Sequence, residues 1–111
     1  MKTFLGILSI TLIAAFFSFQ PGPQTQMPDL SSGRCVVQIN SDWNKQNNYR
    51  WMNVPSVKYY YLSLDKFPEL KNKIRIKSVP TIIVLQDGKE VKRFEGGLMM
   101  QVATPQQEII K

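Results

Sequence analysis

The feature that most constrains the fold is a strand–turn–strand block, TIIVLQDGKEVKRFEG, at residues 81–96. Residues 81–86 are mostly apolar and β-branched, which is typical of a buried strand, whereas residues 90–96 alternate between apolar and polar side chains. The DGK step at residues 87–89 favours a tight hairpin turn. Any fold of this chain must therefore contain two antiparallel strands at this position.

Two more strands are predicted upstream of the hairpin. RCVVQIN at residues 34–40 and SVKYYYLSLD at residues 56–65 are short runs rich in β-branched or aromatic residues. Such residues fit the pleated, half-buried surface of a sheet. A helical crossover between these two strands would make them parallel to each other.

Three short helices are predicted between and after the strands. The first follows residue 40, with Asn44 as its N-cap, and must end before Pro55 because proline interrupts a helix. The other two, at residues 67–74 and 104–111, each carry a proline in the first turn, where it is tolerated. The element order predicts an α/β fold in which a four-stranded mixed sheet carries helices on both faces, formed by residues 34–111.

The N-terminal third of the chain has a different composition. Residues 1–20 are almost wholly apolar after Lys2, which predicts a signal peptide or an N-terminal membrane anchor. The protein is accordingly expected to be exported, as a secreted or periplasmic protein, or membrane-anchored, with membrane contact only through this segment. Residues 21–33 are rich in Pro, Gly, Ser and Gln and are predicted to be a linker.

Composition argues against several classes of function. The chain has 14 Lys and Arg residues against eight Asp and Glu, but they are interleaved along the sequence, so a nucleic-acid partner is not expected. With no His and one Cys, a transition-metal site is not expected either, and Asp65 and Asp87 occupy strand-end and turn positions where Asp is ordinary. No cofactor is predicted.

Two overlapping segments, LSLDKFPELKNKIRIKSVPT at residues 62–81 and SVPTIIVLQDGKEVKRFEGG at residues 78–97, resemble the thioredoxin family. The most specific part is Val79-Pro80-Thr81 at the head of a strand, followed six residues later by an Asp-Gly turn. The resemblance implies a thioredoxin-like fold in which Pro80 is the family's cis-proline. It also implies that the first and last helices are shorter than in the family, which would leave one sheet face thinly covered.

The family's redox motif is replaced in this chain. When Trp43 is aligned with the tryptophan of Trp-Cys-Gly-Pro-Cys, residues 44–47, NKQN, occupy the Cys-Gly-Pro-Cys positions, so that Asn44 and Asn47 replace the two cysteines. Dithiol exchange needs a low-pKa thiolate and a second thiol one turn later, and an asparagine amide provides neither. The resemblance therefore implies the fold without the dithiol chemistry.

Three functions remain open. The first is a non-catalytic module that binds a protein or extended peptide in a groove beside Pro80, and its expected residues are Trp43, Asn44, Val79, Pro80, Thr81 and Gly96. The second is a thiol-disulfide oxidoreductase that acts through Cys35 or with a partner's thiol, although a thiol at this position is more often buried and inert. The third is a module that binds anionic surfaces through its net charge of +6. The sequence favours the first, without an enzymatic activity.

Overall fold

The computed structural model describes residues 24–111, and its strands form one mixed sheet. The strands are β1 (Arg34–Asn40), β2 (Lys58–Ser63), β3 (Thr81–Gln86) and β4 (Lys89–Glu95), in the order β2-β1-β3-β4. β1 and β2 are parallel, whereas β3 is antiparallel to both β1 and β4. The predicted four-stranded mixed sheet is confirmed. The apolar segment at residues 1–20 lies outside the described residues.

The helical elements are short. Two 3₁₀ helices, η1 (Asp42–Asn47) and η2 (Gly97–Met99), follow β1 and β4, and two α-helices, α1 (Leu70–Lys73) and α2 (Gln106–Ile110), follow β2 and η2. Leu70 of α1 packs in one buried cluster and Ile109 of α2 in another. The two α-helices therefore cover opposite faces of the sheet, as the predicted architecture requires.

The connection between β1 and β2 differs from the prediction. Asn44 does not cap a helix: Ser41 is at the N-cap position of η1, and Asn44 lies inside η1 with φ −110° and a buried side chain. After η1 the chain is irregular, and the Tyr49 N–H donates to Gln38 Oε1 at 2.7 Å. The predicted capping role was wrong because asparagine side chains in this segment form other local hydrogen bonds, which compete with helical geometry.

The sheet has two buried faces with different contents. The first, here called the Phe67 face, contains Val37, Ile39, Leu62, Phe67, Leu70, Ile76, Val79 and Ile83. The second, here called the Trp51 face, contains Val36, Trp51, Ile82, Val84 and Ile109. Trp51 comes from the irregular connection and stacks on Tyr59, with ring centroids 5.2 Å apart and planes 6° from parallel. An aromatic side chain from an irregular connection thus contributes to the buried cluster on this face.

The described part of the predicted linker contacts the sheet. Leu30 is half-buried and packs against the Phe67 face, and the Gln24 N–H donates to the Tyr61 carbonyl oxygen at 2.9 Å. Gly33 and Asp87 exchange two hydrogen bonds, one of them from the Gly33 N–H to Asp87 Oδ1 at 2.8 Å. Contacts with the sheet therefore begin before Arg34, the residue at which the sequence predicted that folded structure starts.

Candidate functional site

Two buried asparagines organise the junction between β1 and η1. Asn40 and Asn44 are 0% and 1% exposed. Asn44 Nδ2 donates to Asn40 Oδ1 at 3.1 Å and to the Met100 carbonyl oxygen at 3.2 Å, with a longer contact of 3.4 Å to the Val79 carbonyl oxygen. An amide nitrogen has two hydrogens, so these three acceptors share them. The Asn44 amide thereby joins the end of β1 to the segments before β3 and after η2.

Asn47, at the position of the family's second cysteine, extends this network. Its Nδ2 donates to Asn44 Oδ1 at 2.8 Å, and its Oδ1 accepts a hydrogen bond from Gln101 Nε2 at 3.0 Å. The two residues that replace the cysteines are therefore connected to each other by amide groups. Hydrogen bonds of this kind hold the junction in place and offset the cost of burying polar groups, but they supply no thiol.

Pro80 and its neighbours form the packed base of the site. The Val79–Pro80 peptide bond is cis, the isomer that the resemblance implies, and the Gly96 N–H donates to the Pro80 carbonyl oxygen at 2.9 Å. A Cβ atom at Gly96 would lie 3.0 Å from both Pro80 Cδ and the Val79 carbonyl oxygen, closer than side chains normally approach. Thr81 is fully buried, and its Oγ1 donates to the Ser78 carbonyl oxygen at 2.7 Å. The atoms that approach Gly96 closely thus belong to this chain itself.

An open groove of about 710 Å³ lies in front of this base, and we call it the Trp43 groove. Its lining residues are Ser41, Trp43, Leu64, Pro68, Lys71, Ile76, Lys77, Ser78, Val79, Gly97, Leu98 and Met100. Trp43 is 61% exposed at the rim. Of the six residues expected to form a groove, Trp43 and Val79 line this one, whereas Asn44, Pro80, Thr81 and Gly96 do not.

Sequence reasoning missed most of the apolar wall of the Trp43 groove. Leu98, Met99 and Met100 are consecutive and exposed, with Leu98 entirely accessible, and Leu98 and Met100 line the groove. Leu64, Pro68 and Ile76 come from a separate stretch of the chain. The available signal was the LMM run, because three successive apolar residues outside every predicted strand and helix indicate either a buried turn or an exposed contact surface.

Cys35 lies at the end of β1 opposite the end that leads into the groove. It is the second residue of β1, whereas η1 follows the other end of that strand, and it is 0% exposed. Burial raises the pKa of the Cys35 thiol above its ordinary value, and the nearby Lys58 ammonium offsets part of that effect. The expectation of a buried thiol is confirmed, and its reactive thiolate form is disfavoured.

Two aspartates meet beside the groove. The Asp42 N–H donates to Asp65 Oδ2 at 2.7 Å, and Ser63 Oγ donates to Asp42 Oδ1 at 3.0 Å.

Within residues 24–111, no group of three or more Asp, Glu, His and Cys side chains could hold a metal ion. The same part of the chain contains no helix that is long and apolar enough to span a bilayer.

Comparison with known proteins gives a short match in sequence. No protein-family model matches the chain. A stretch of 37 residues is 46% identical to the chloroplastic thioredoxin Y2 of Arabidopsis thaliana and 40% identical to thioredoxin Y1 of the same plant. Each match covers 33% of this chain and 22% of the relative, so the chain spans less than a quarter of the length of these two curated relatives.

Solved structures match over a larger share of the chain. A mutant thioredoxin from Halobacterium salinarum is 15% identical, with a TM-score of 0.53 over 71% of this chain and 73% of that one. The thioredoxin of Malassezia sympodialis is 14% identical, with a TM-score of 0.53 over 83% and 92%. Thioredoxin-2 of the malaria parasite is 19% identical, with a TM-score of 0.51 over 82% and 91%. At these identities the likeness concerns the fold, and the chain has a thioredoxin-like fold.

Proposed function

We propose that this protein is a non-catalytic binding module that holds an extended protein segment in the Trp43 groove. One observation carries the proposal: an open groove with exposed apolar side chains, among them Trp43 and Leu98, lies beside a junction whose two redox positions are asparagines. A cluster of exposed apolar side chains around a concave surface is typical of a binding site, whereas single exposed ones are ordinary.

The positions of the hydrogen-bonding groups support the same function. Asn44 and Asn47 are engaged in contacts within the chain, with Asn44 almost fully buried, so they serve to hold the groove in shape. Ser41 and Ser78 place polar groups among the apolar lining residues. A peptide offers both apolar side chains and backbone polar groups, and this mixed lining complements both.

Cys35 gives the alternative, a thiol-disulfide oxidoreductase, less support. Attack on a disulfide requires an accessible thiolate, and Cys35 is buried with a raised thiol pKa. A disulfide-reduction assay with dithiothreitol as electron source, on the full chain and on Cys35→Ser, separates the two functions. We expect neither protein to exceed dithiothreitol alone. Activity present in the wild type and absent in Cys35→Ser would establish the alternative instead.

Binding itself is tested on an array of short peptides probed with the full chain and two variants. Trp43→Ala removes an exposed aromatic side chain from the groove, and we expect it to weaken binding about tenfold, because tryptophan is enriched among the residues that contribute most to binding. Met52→Ala is the matched control, because Met52 is 76% exposed and does not line the groove. Equal binding by both variants, or none by the wild type, would contradict the proposal.

A further inference from the structure

We infer that the segment held in the Trp43 groove carries apolar side chains flanked by aspartate or glutamate. The inference rests on the proposed function and specifies the chemistry of its partner. It starts from the charged residues of the groove, which are Lys71 on α1 and Lys77 on the connection to β3. Both side chains are exposed, and no acidic residue lines the groove.

The two lysines are available to a partner. The ion pairs among residues 24–111 join Arg93 to Glu90 and Lys111 to Glu108, so neither groove lysine forms an ion pair within this part of the chain. Asp42 is next to Trp43 in sequence, but its carboxylate accepts a hydrogen bond from Ser63 and belongs to the adjoining hollow. The groove therefore presents positive charge beside an apolar surface, which complements an acidic and apolar segment.

The lining favours a peptide over a lipid tail. An acyl chain has no polar groups along its length and is best held in an enclosed apolar cavity. The Trp43 groove is open, and the hydroxyl-bearing residues Ser41 and Ser78 lie among its apolar residues. Leu98 and Trp43 are exposed at the surface, where they can contact side chains that project from an extended backbone.

The test uses three fluorescent peptides with one shared apolar core, flanked by Asp, Asn or Lys, and measures their dissociation constants with the full chain by anisotropy. We expect the Asp-flanked peptide to bind roughly threefold to tenfold more tightly than the Asn-flanked one, since exposed charge pairs are individually weak. The Lys-flanked peptide is expected to bind least, and the differences should shrink in high salt.

Charge reversal at the groove provides the matched comparison. In a variant with Lys71→Glu and Lys77→Glu, we expect the order of the three peptides to invert. A control with Arg50→Glu and Lys89→Glu makes the same change in net charge at exposed residues outside the groove. This control should preserve the original order, because a local charge pattern and not the net charge decides it.

The outcomes separate the inference from the proposed function. If the three peptides bind equally and Trp43→Ala still weakens them all, the inference is wrong and the binding function stands. If no peptide binds, or if Trp43→Ala has no effect, both are wrong. Vesicles of phosphatidylserine and phosphatidylcholine form the last arm: vesicle binding that Trp43→Ala reduces, without peptide binding, would replace the peptide by an anionic membrane surface.

Discussion

The two faces of the sheet bury similar kinds of residue, but they differ in how many they bury and in which elements supply them. The Phe67 face has eight buried apolar residues, and Leu30, Leu64, Ile74 and Leu85 pack around them. The Trp51 face has five, of which Trp51 comes from an irregular connection and Ile109 from the five-residue helix α2 near the C-terminus. The residues that pack around these five are only partly buried: Tyr49, Val57, Tyr59, Phe94, Val102 and Ile110. Regular secondary structure is therefore not required to close a sheet face, but the stability of that face then depends on fewer buried side chains.

The largest effect is expected from Trp51→Ala. Removing a fully buried aromatic residue leaves a cavity, and we expect a loss of about 3–5 kcal/mol in the free energy of unfolding, measured by urea denaturation. Trp43→Ala is the matched control, since Trp43 is 61% exposed and its removal should change stability by less than about 0.5 kcal/mol. If Trp51→Ala also lowered the free energy of unfolding by less than about 0.5 kcal/mol, the Trp51 face would not depend on its tryptophan.

A slightly smaller effect is expected when one aliphatic residue is removed from each face. Ile109→Ala and Leu70→Ala each delete a buried side chain and should cost about 2–4 kcal/mol in urea denaturation. We expect Ile109→Ala to cost more and to increase the binding of a hydrophobic dye, because the Trp51 face has fewer buried residues around the cavity. A greater loss in Leu70→Ala would reverse the comparison between the faces.

A pH dependence is expected on the Trp51 face. Burial raises the pKa of Tyr59 to about 12, with a hydrogen bond from Gln38 opposing part of the shift. Since an unperturbed tyrosine titrates near pH 10, the neutral ring contributes fully below that pH, and its contribution is lost as the pH rises from about 10 to 12.

Tyr59→Phe tests this contribution. The variant cannot ionise at this position, so the stability difference between wild type and variant should shift in favour of the variant by about 1–2 kcal/mol between pH 10 and 12. Urea denaturation across that range measures the shift, and the other tyrosines and lysines cancel in the comparison. A constant difference would mean that Tyr59 titrates normally.

The smallest expected effect concerns the N-terminal edge of the Phe67 face. Leu30 is half-buried there, so Leu30→Ala should lower the free energy of unfolding by about 1 kcal/mol. Leu98→Ala, at an entirely exposed leucine, should leave stability unchanged. If Leu30→Ala were also neutral, residues 24–33 would be a linker as the sequence predicted, and the Phe67 face would be complete without them.

The sequence predicted the elements whose signal is local. The structural bounds of β1, Arg34–Asn40, and β3, Thr81–Gln86, coincide with the predicted ranges, because a bounded apolar run and an Asp-Gly turn identify strands without reference to the rest of the chain. The irregular connection after η1 was not predicted, since the burial of Trp51 depends on Tyr59 and Ile109, which are distant in sequence.

The site was predicted only in part for the same reason. Trp43 and Val79 were identified through the family motif and line the groove. Leu98 and Lys71 lie on elements that only the tertiary fold brings together, and no motif connects them. Asn44 was placed correctly at the junction, but its side chain points into a buried network that a capping pattern does not reveal.

The burial of Cys35 has a practical consequence for studying the protein in solution. As the chain's one cysteine is inaccessible in the native fold, it should react slowly with maleimide reagents. A cysteine introduced at the exposed rim, such as Leu98→Cys, would then be labelled selectively without first removing the native thiol. The resulting single-fluorophore protein would report directly on whatever enters the groove.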